Sequence, residues 1–238
     1  AARPDGRPRA EARCTRGRAG GGLERPGHLG LDFGKPVSRF EEGIKVIKLM
    51  WHSDGPFDFE GECYKLEHAR LDTELYDGKA PPIWTGAAGP RMLRITGREA
   101  DGWWPAGSYT PEDYAAKLKT ILDAGDAVGR DMSHFVPALT QICLIGDEGE
   151  IAEMVKAPMI KSVILMLNAK DVEQFGYSHP MGSDWHGIMD FDPHVLTREK
   201  MIEFCEALDT RMIYDIFPVG TPKEVARKVM GFAEAGMQ

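Results

Sequence analysis

The chain alternates between short apolar runs and longer stretches in which apolar residues recur every three or four positions. The short runs lie at 83–84, 100–105 and 135–145, and helical spacing follows them at 91–99, 111–128 and 148–167. Short apolar runs bounded by Gly and Pro predict buried strands, and the three-to-four spacing predicts amphipathic helices. Strands and helices alternating in this rhythm are typical of a parallel α/β sheet or barrel.

The flanking segments predict further elements of the same scaffold. An amphipathic helix is expected over 37–51, and alternating residues predict a hairpin over 57–66 with its turn at Glu60-Gly61-Glu62. Thr110 followed by Pro111 and two acidic residues predicts the start of the 111–128 helix, which Gly129 ends. Capped helices are predicted over 197–212 and 221–235, on the outside of the sheet.

A turn of small residues between the first strand and its helix carries the strongest chemical signal. Its residues are Thr85, Gly86, Ala87, Ala88 and Gly89, and Pro90 and Arg91 begin the helix. Such a turn leaves backbone N–H groups uncovered by side chains, at the positive end of a helix. The sequence therefore predicts a seat for a phosphate group, against the alternative of a tight turn packed by small residues.

Composition narrows the class of partner. The net charge of −8 argues against a nucleic-acid partner, which needs a basic face. No apolar run is long enough to span a bilayer, and no signal-peptide pattern is present. The cysteines, which lie far apart, predict unpaired thiols in a cytoplasmic protein: Cys14, Cys63, Cys143 and Cys205.

Several motifs in a fixed order resemble the bacterial luciferase-like superfamily: Arg39-Phe40-Glu41-Glu42-Gly43, Leu49-Met50-Trp51, Phe59-Glu60-Gly61-Glu62, Pro81-Pro82-Ile83-Trp84, Gly89-Pro90-Arg91 and Ala100-Asp101-Gly102-Trp103. Two further motifs are similar to its F420-dependent branch, which includes the phthiodiolone ketoreductases of mycobacteria: His179-Pro180-Met181-Gly182 and Gly220-Thr221-Pro222-Lys223-Glu224-Val225. The resemblance covers roughly residues 30–238.

This resemblance implies a (β/α)8 TIM barrel and an oxidoreductase that uses coenzyme F420, with FMN as the alternative cofactor. The implied reaction is hydride transfer between the deazaflavin and a small organic carbonyl or alcohol; an FMN-dependent monooxygenase on the same barrel is the runner-up. The resemblance also implies a small-molecule substrate and a homodimer.

The resemblance assigns the cofactor phosphate to the backbone of Gly86, Ala87, Ala88, Gly89 and Pro90, with Arg91 as a charge partner and Thr85 adding a hydroxyl. At the end of the next strand, Trp103, Trp104 and Pro105 are candidates for the border of the cofactor or substrate site. Core packing is the alternative for the two tryptophans, and it is favoured for one of them rather than for both.

The long irregular segment 168–194 contains the candidate catalytic residue His179. Loops of this length in compact domains are usually functional or disordered. Histidine titrates near neutral pH, so His179 is a candidate proton donor to a carbonyl that receives the hydride. The six His and Asp side chains of the segment are His179, Asp184, His186, Asp190, Asp192 and His194. Their spacing favours a hydrogen-bonded polar loop over a metal site, so no metal is expected.

The two ends of the chain depart from the pattern of the family. Residues 1–27 contain seven arginines, six glycines and three prolines, a composition that cannot build a packed element. We therefore divide the chain into an arm over 1–29, either a frameshifted segment or a natural flexible arm, and a partial barrel over 30–238. The partial barrel is expected to hold roughly strands five to seven with an insertion and no eighth strand, and therefore to be poorly stable alone. A catalytically inactive remnant that acts only in binding remains an alternative function.

Overall fold

The computed structural model describes residues 34–191 and 196–238. The predictions for residues 1–29, including Cys14, and for Asp192 and His194 lie outside the described residues. The elements of the described part, in chain order, are α1 Pro36–His52, β1 Phe57–Glu60, β2 Lys65–Ala69, β3 Trp84–Thr85, α2 Pro90–Glu99, β4 Gly102–Trp103, α3 Pro111–Asp126, β5 Val136–Pro137, β6 Leu144–Ile145, α4 Glu148–Met154, α5 Pro158–Leu165, α6 Ala169–Glu173, α7 Arg198–Ala207, α8 Arg211–Ile216, β7 Val219–Gly220 and α9 Pro222–Glu234. Single 3₁₀ turns cover Tyr76–Gly78 and Gly187–Met189.

The parallel strands pair in the order in which they occur along the chain. β3, β4 and β5 form one sheet in that order, and β6 pairs with β7. Trp84 is opposite Gly102, Gly102 is opposite Val136, and Leu144 is opposite Val219, all in parallel register. Neighbouring parallel strands joined through helices are the arrangement of a (β/α)8 barrel. The predicted fold class is confirmed.

The run predicted as one strand over 135–145 is hydrogen-bonded to two different strands, β4 and β7. Alternate N–H groups along it donate to carbonyls next to β4 and then next to β7: Val136 to Asp101, Ala138 to Trp103, Thr140 to Pro105, Leu144 to Pro218 and Gly146 to Gly220. An isolated bridge between Ala106 and Thr140 keeps the register of the first ladder. One half of the run therefore contacts the preceding strand and the other half the following one, as strand stagger in a barrel requires.

One strand was not predicted. β7 pairs in parallel with β6 and comes just before α9. Two residues, Val219 and Gly220, are too few to give a periodic signal. The sequence signals that could have indicated this strand are Pro218 before it and the capped helix α9 after it.

Two predicted helices are each divided in two. The 148–167 stretch forms α4 and α5, because Pro158 lacks the N–H that would continue the first helix and instead begins the second. The 197–212 stretch forms α7 and α8, which are separated where Leu208 adopts an extended conformation and Asp209 accepts a hydrogen bond from the N–H of Arg211. Helices α3 and α9 begin at the predicted caps, Thr110 and Thr221.

The hydrophobic core has two main parts. One lies between β4 and helices α2, α3 and α9 and is centred on Trp103, which stacks on Tyr114 with ring centroids 4.8 Å apart. The other lies under β6 and β7 and is closed by helices from the segment that joins these two strands, residues 146–218, which we call the insertion. No helix of the described residues is both long and apolar enough to cross a membrane. The three described cysteines are unpaired.

Candidate functional site

The Gly86–Gly89 turn joins β3 directly to α2. Gly89 is the N-cap of α2 and Pro90 is its first residue, with no side chain capping the helix. Ala87 is buried, whereas Gly86, Ala88 and Gly89 are exposed. The turn thus presents bare backbone at the positive end of a ten-residue helix.

A buried tryptophan holds this turn in place. The indole N–H of Trp103 donates to the carbonyl oxygen of Ala87 at 2.8 Å, and Trp103 is fully buried. The Ala87 side chain packs into the same core cluster. The turn is therefore anchored to the core through the side chain and the carbonyl of Ala87.

Those N–H groups lack protein partners. Within the described part of the chain, no acceptor lies within hydrogen-bond geometry of the N–H groups of Gly86, Ala87, Ala88, Gly89 and Arg91. Gly89 has a φ of −77°, and a Cβ placed on it would meet no atom within 4 Å. Unpaired N–H groups, open space and a helix N-terminus together make a site for an anionic oxygen.

The Thr85 hydroxyl is used elsewhere. Thr85 is buried, and its Oγ1 lies 2.7 Å from Oγ1 of Thr96 on α2, which in turn donates to the carbonyl of Met92. This chain of hydrogen bonds joins β3 to α2. The geometry does not favour a direct contact between the Thr85 hydroxyl and a ligand.

Arg91 is held on α1 by two side chains. Its Nη2 donates to Oγ of Ser38 at 3.1 Å and lies 3.6 Å from Oε2 of Glu41. The Arg91 side chain is 55% exposed, so the guanidinium remains accessible to solvent. Neither Ser38 nor Glu41 was predicted as a site residue, and Glu41 was noted only within the Arg39–Gly43 motif. Their contact with Arg91 spans about fifty residues and leaves no local pattern.

Trp103 at the end of β4 and Trp104 immediately after it have opposite environments, and core packing applies to one of them, as the sequence analysis favoured. Trp103 is in the core, whereas Trp104 is 57% exposed. Trp104 lies edge-to-face with Trp84, with centroids 6.3 Å apart. Trp84 is 41% exposed, which corrects the expectation of a buried strand at this point. Because side chains alternate across a strand, Thr85 and Trp103 face the helices and the two exposed tryptophans face the opposite side of the sheet.

His179 is buried and both of its ring nitrogens have protein partners. Nε2 lies 2.9 Å from the carbonyl oxygen of Ile164, and Nδ1 accepts the N–H of Met181 at 3.1 Å. The ring also stacks on Trp185. The pKa of His179 is lowered by burial, although its bond to the Ile164 carbonyl acts in the opposite direction. The neutral ring therefore donates through Nε2 and accepts through Nδ1, which does not favour proton donation to a substrate.

The inserted segment reaches the loop that follows β4. Nε2 of Gln174, just after α6, donates to the carbonyl of Ser108 at 2.9 Å. The Ser108 hydroxyl and Oε1 of Gln141 are buried and have no partner within the described residues. Burial also raises the pKa of the adjacent Tyr109, and the carboxylates of Asp171 and Asp113 act in the same direction. The insertion thus lies beside the loop on the carboxyl side of the strands, where catalytic groups of such barrels lie.

One cluster of possible metal ligands lies outside this region. Among the described residues, Glu42, Glu62 and Cys63 bring ligand atoms within 4.8 Å of one another. The Glu42 carboxylate, however, accepts the N–H groups of Glu62, Cys63 and Tyr64, at 2.8, 2.8 and 3.1 Å. Its pKa is lowered, chiefly by the bond from Cys63. These bonds identify Glu42 as the cap of the hairpin turn between β1 and β2.

Two relatives are similar in sequence to this chain, one over most of its length and one over less than half. It is 32% identical over 231 residues to a phthiodiolone/phenolphthiodiolone dimycocerosates ketoreductase of Mycobacterium tuberculosis, covering 94% of this chain and 61% of that protein. An F420-dependent glucose-6-phosphate dehydrogenase of Microbacterium testaceum is 33% identical over 102 residues, 41% of this chain and 29% of that protein. The chain thus spans about three fifths of the length of the ketoreductases that it matches.

Solved structures share the fold at lower identity. The F420-dependent tetrahydromethanopterin reductase of Methanopyrus kandleri superposes with a TM-score of 0.65 and 21% identity, over 85% of this chain and 56% of that one. An F420-dependent secondary alcohol dehydrogenase in complex with an F420-acetone adduct gives 0.61 and 19%, over 84% and 54%. A family model described as luciferase-like monooxygenase matches residues 16–238. The resemblance drawn from the sequence is confirmed: the chain belongs to the luciferase-like monooxygenase family.

Proposed function

We propose that this chain forms the cofactor-phosphate side of an oxidoreductase that uses coenzyme F420. The observation that carries the proposal is the anchored Gly86–Gly89 turn, whose N–H groups have no acceptor among the described residues and which leads directly into the N-terminus of α2. A phosphate oxygen there accepts from the backbone, and the exposed Arg91 adds a positive charge. One relative and two structural neighbours are F420-dependent enzymes, which supports the deazaflavin as the source of that phosphate.

When bound, the deazaflavin supplies hydride transfer to or from a small organic carbonyl or alcohol. The residues of this chain bind and orient it. The Gly86–Gly89 turn fixes the phosphate, and Trp104 offers an exposed aromatic edge on the far side of the sheet from the helices. His179 supports the reaction indirectly, by ordering the insertion that lies beside the Ser108 loop. The ketoreductase relatives favour a carbonyl as the group that is reduced.

A pair of matched glycine variants tests the phosphate site. Gly89→Ala places a methyl group in open space above the turn, in a backbone conformation that alanine adopts without strain. Gly55→Ala also meets no atom within 4 Å but lies far from the turn in the sequence. F420 binding, followed by the fluorescence of the deazaflavin, is expected to weaken by about tenfold in Gly89→Ala, because the added methyl group occupies space that the phosphate would take. Displacing the phosphate far enough to lose one charge-assisted hydrogen bond costs about 1.5 kcal/mol. Gly55→Ala is expected to bind as the unsubstituted chain does.

The same titration with FMN separates the two cofactors. Tighter binding of F420 than of FMN supports the proposal, whereas tighter binding of FMN favours the monooxygenase alternative. Equal affinities of Gly89→Ala and the unsubstituted chain for F420 contradict the phosphate site itself. Absence of binding by a folded preparation favours the inactive remnant.

A further inference from the structure

The carboxylate of Glu41 lies among three basic side chains. Its Oε1 is 3.1 Å from Nη2 of Arg98 and 3.7 Å from Nζ of Lys45, and its Oε2 is 3.6 Å from Nη2 of Arg91. Glu41 lies on α1, Arg98 is in the last turn of α2, and Arg91 is in its first turn. A single carboxylate on one helix therefore contacts both ends of the neighbouring helix.

The Glu41 carboxylate is the best shielded group of this cluster. Its side chain is 22% exposed, compared with 33% for Arg98 and 55% for Arg91. Interactions of shielded charges are screened less by salt than those of exposed charges. Arg98, on the shielded side, fixes the carboxylate, and Arg91, on the exposed side, is the mobile member that the carboxylate and Ser38 restrain.

The restraint on Arg91 acts on a ligand in two opposing ways. Glu41 restrains the guanidinium of Arg91, which lies two residues after Gly89 in the chain, and this lowers the entropy lost when the arginine contacts a phosphate. Its negative charge, however, offsets the positive charge of Arg91 and opposes the approach of a phosphate anion. Ser38 restrains the guanidinium through an uncharged hydroxyl, so part of the positioning survives removal of the charge. The charge effect is therefore the larger consequence of Glu41.

We propose that Glu41 is a positioning residue that lowers the affinity of the Gly86–Gly89 turn for phosphate by acting as the counter-charge of Arg91. This inference rests on the proposed function, because it concerns the same turn. Glu41 does not contact the phosphate; it acts through Arg91. A carboxylate in this place makes the cofactor exchangeable, since the ligand competes with a fixed internal anion for one arginine.

The test compares two isosteric Glu→Gln variants at the same pair of helices. E41Q removes the charge beside Arg91 and keeps an amide oxygen for Arg98. E99Q removes the carboxylate that pairs with Lys48 at 2.8 Å, at the far end of α2. Inorganic phosphate binding is measured by calorimetry, and F420 binding by fluorescence. E41Q is expected to bind both about threefold more tightly at low ionic strength, with the gain disappearing at high salt. E99Q is expected to bind as the unsubstituted chain does.

A double variant separates the counter-charge role from a merely structural one. In an R91M background the E41Q substitution is expected to have little effect on phosphate affinity, because its effect passes through Arg91. E41D retains the charge on a shorter side chain and is expected to show no gain in affinity. Thermal unfolding of each variant reports its folding separately.

The outcomes also separate this inference from the function on which it rests. If the unsubstituted chain binds phosphate and Gly89→Ala does not, but E41Q binds no more tightly, Glu41 is not a counter-charge and the phosphate site stands. An equal gain in E99Q likewise overturns the inference, because it shows a general effect of net charge. If the unsubstituted folded chain binds neither phosphate nor F420, the proposed function fails and the inference fails with it.

Discussion

His179 illustrates how a single side chain is assigned by its partners rather than by its type. In the sequence it stands in a loop rich in His and Asp, which made it a candidate proton donor. In the structure its ring bridges the Ile164 carbonyl and the Met181 N–H and stacks on Trp185. A doubly bonded buried imidazole fixes the path of the loop, and protonation of Nδ1 breaks the bond from Met181.

The stability of the protein is expected to fall on mild acidification because of His179. Its folded pKa is lowered by burial, so the unfolded chain binds the proton more readily. The contribution is fully present above the ordinary histidine pKa of about 6.5 and is lost as the pH falls towards the lowered value, by at most about 1.4 kcal/mol per pH unit. Urea unfolding midpoints at about pH 7.5 and 5.5 measure this slope, where the pH interval brackets the ordinary histidine pKa.

The control for this pH dependence is a second histidine. His179→Gln is expected to flatten the slope, whereas His52→Gln, at the exposed end of α1, leaves it unchanged. If the unfolding midpoint of His179→Gln still falls with decreasing pH as in the unsubstituted chain, other groups cause the acid sensitivity. That result contradicts the structural role proposed for this ring.

Individual elements follow local sequence signals where a cap or a proline sets the boundary. Thr221 and Glu224 form a reciprocal capping box at the start of α9, and the predicted range of this helix agrees with the structure. Thr110 and Pro111 likewise set the start of α3. Boundaries inside 148–167 and 197–212 were missed because helical spacing continues across Pro158 and Leu208, while the chain turns there to close the second core.

The cap of α9 gives an element-scale prediction. Thr221→Ala removes the hydroxyl that accepts the Glu224 N–H and is expected to cost about 1 kcal/mol in the free energy of unfolding. Thr120→Ala, on α3, removes a hydroxyl that bonds only to the carbonyl of Ala116 within the same helix, and is expected to be neutral or slightly stabilising. Chemical denaturation of both variants checks the difference; equal costs contradict a capping role for Thr221.

At the scale of the whole molecule, the long-range contacts are the part that the sequence did not reveal. The alternation of strands and helices predicted a parallel barrel arc, and the small residues at 85–91 predicted the turn between β3 and α2, for which we propose a bound phosphate. The Ser38–Glu41–Arg91 contact and the exposure of Trp84 depend on which elements become neighbours. No local periodicity encodes them. The sequence predicted that one of Trp103 and Trp104 is buried, because adjacent residues of a strand face opposite sides, but it did not show which one.

The open face of the sheet gives a prediction for the molecule as a whole. Trp84 and Trp104 are exposed, whereas Trp103 and Trp185 are buried. Acrylamide is therefore expected to quench two accessible tryptophans readily, and a W84F/W104F double variant is expected to lose most of this accessible emission. An unchanged quenching profile in the double variant indicates that another surface, such as a second copy of the chain, covers this face in solution.

The run from Val136 to Gly146 carries a consequence for how this fold tolerates change in length. It is hydrogen-bonded to β4 by its first half and to β7 by its second. Removing or adding one residue between Thr140 and Leu144 would invert the facing of every side chain in one ladder relative to the other. The segment between β6 and β7 starts where this run ends, so a change of length within that segment leaves the register of both ladders unchanged. The run thus fixes the register between the part that carries the Gly86–Gly89 turn and the part that carries helices α4 to α8.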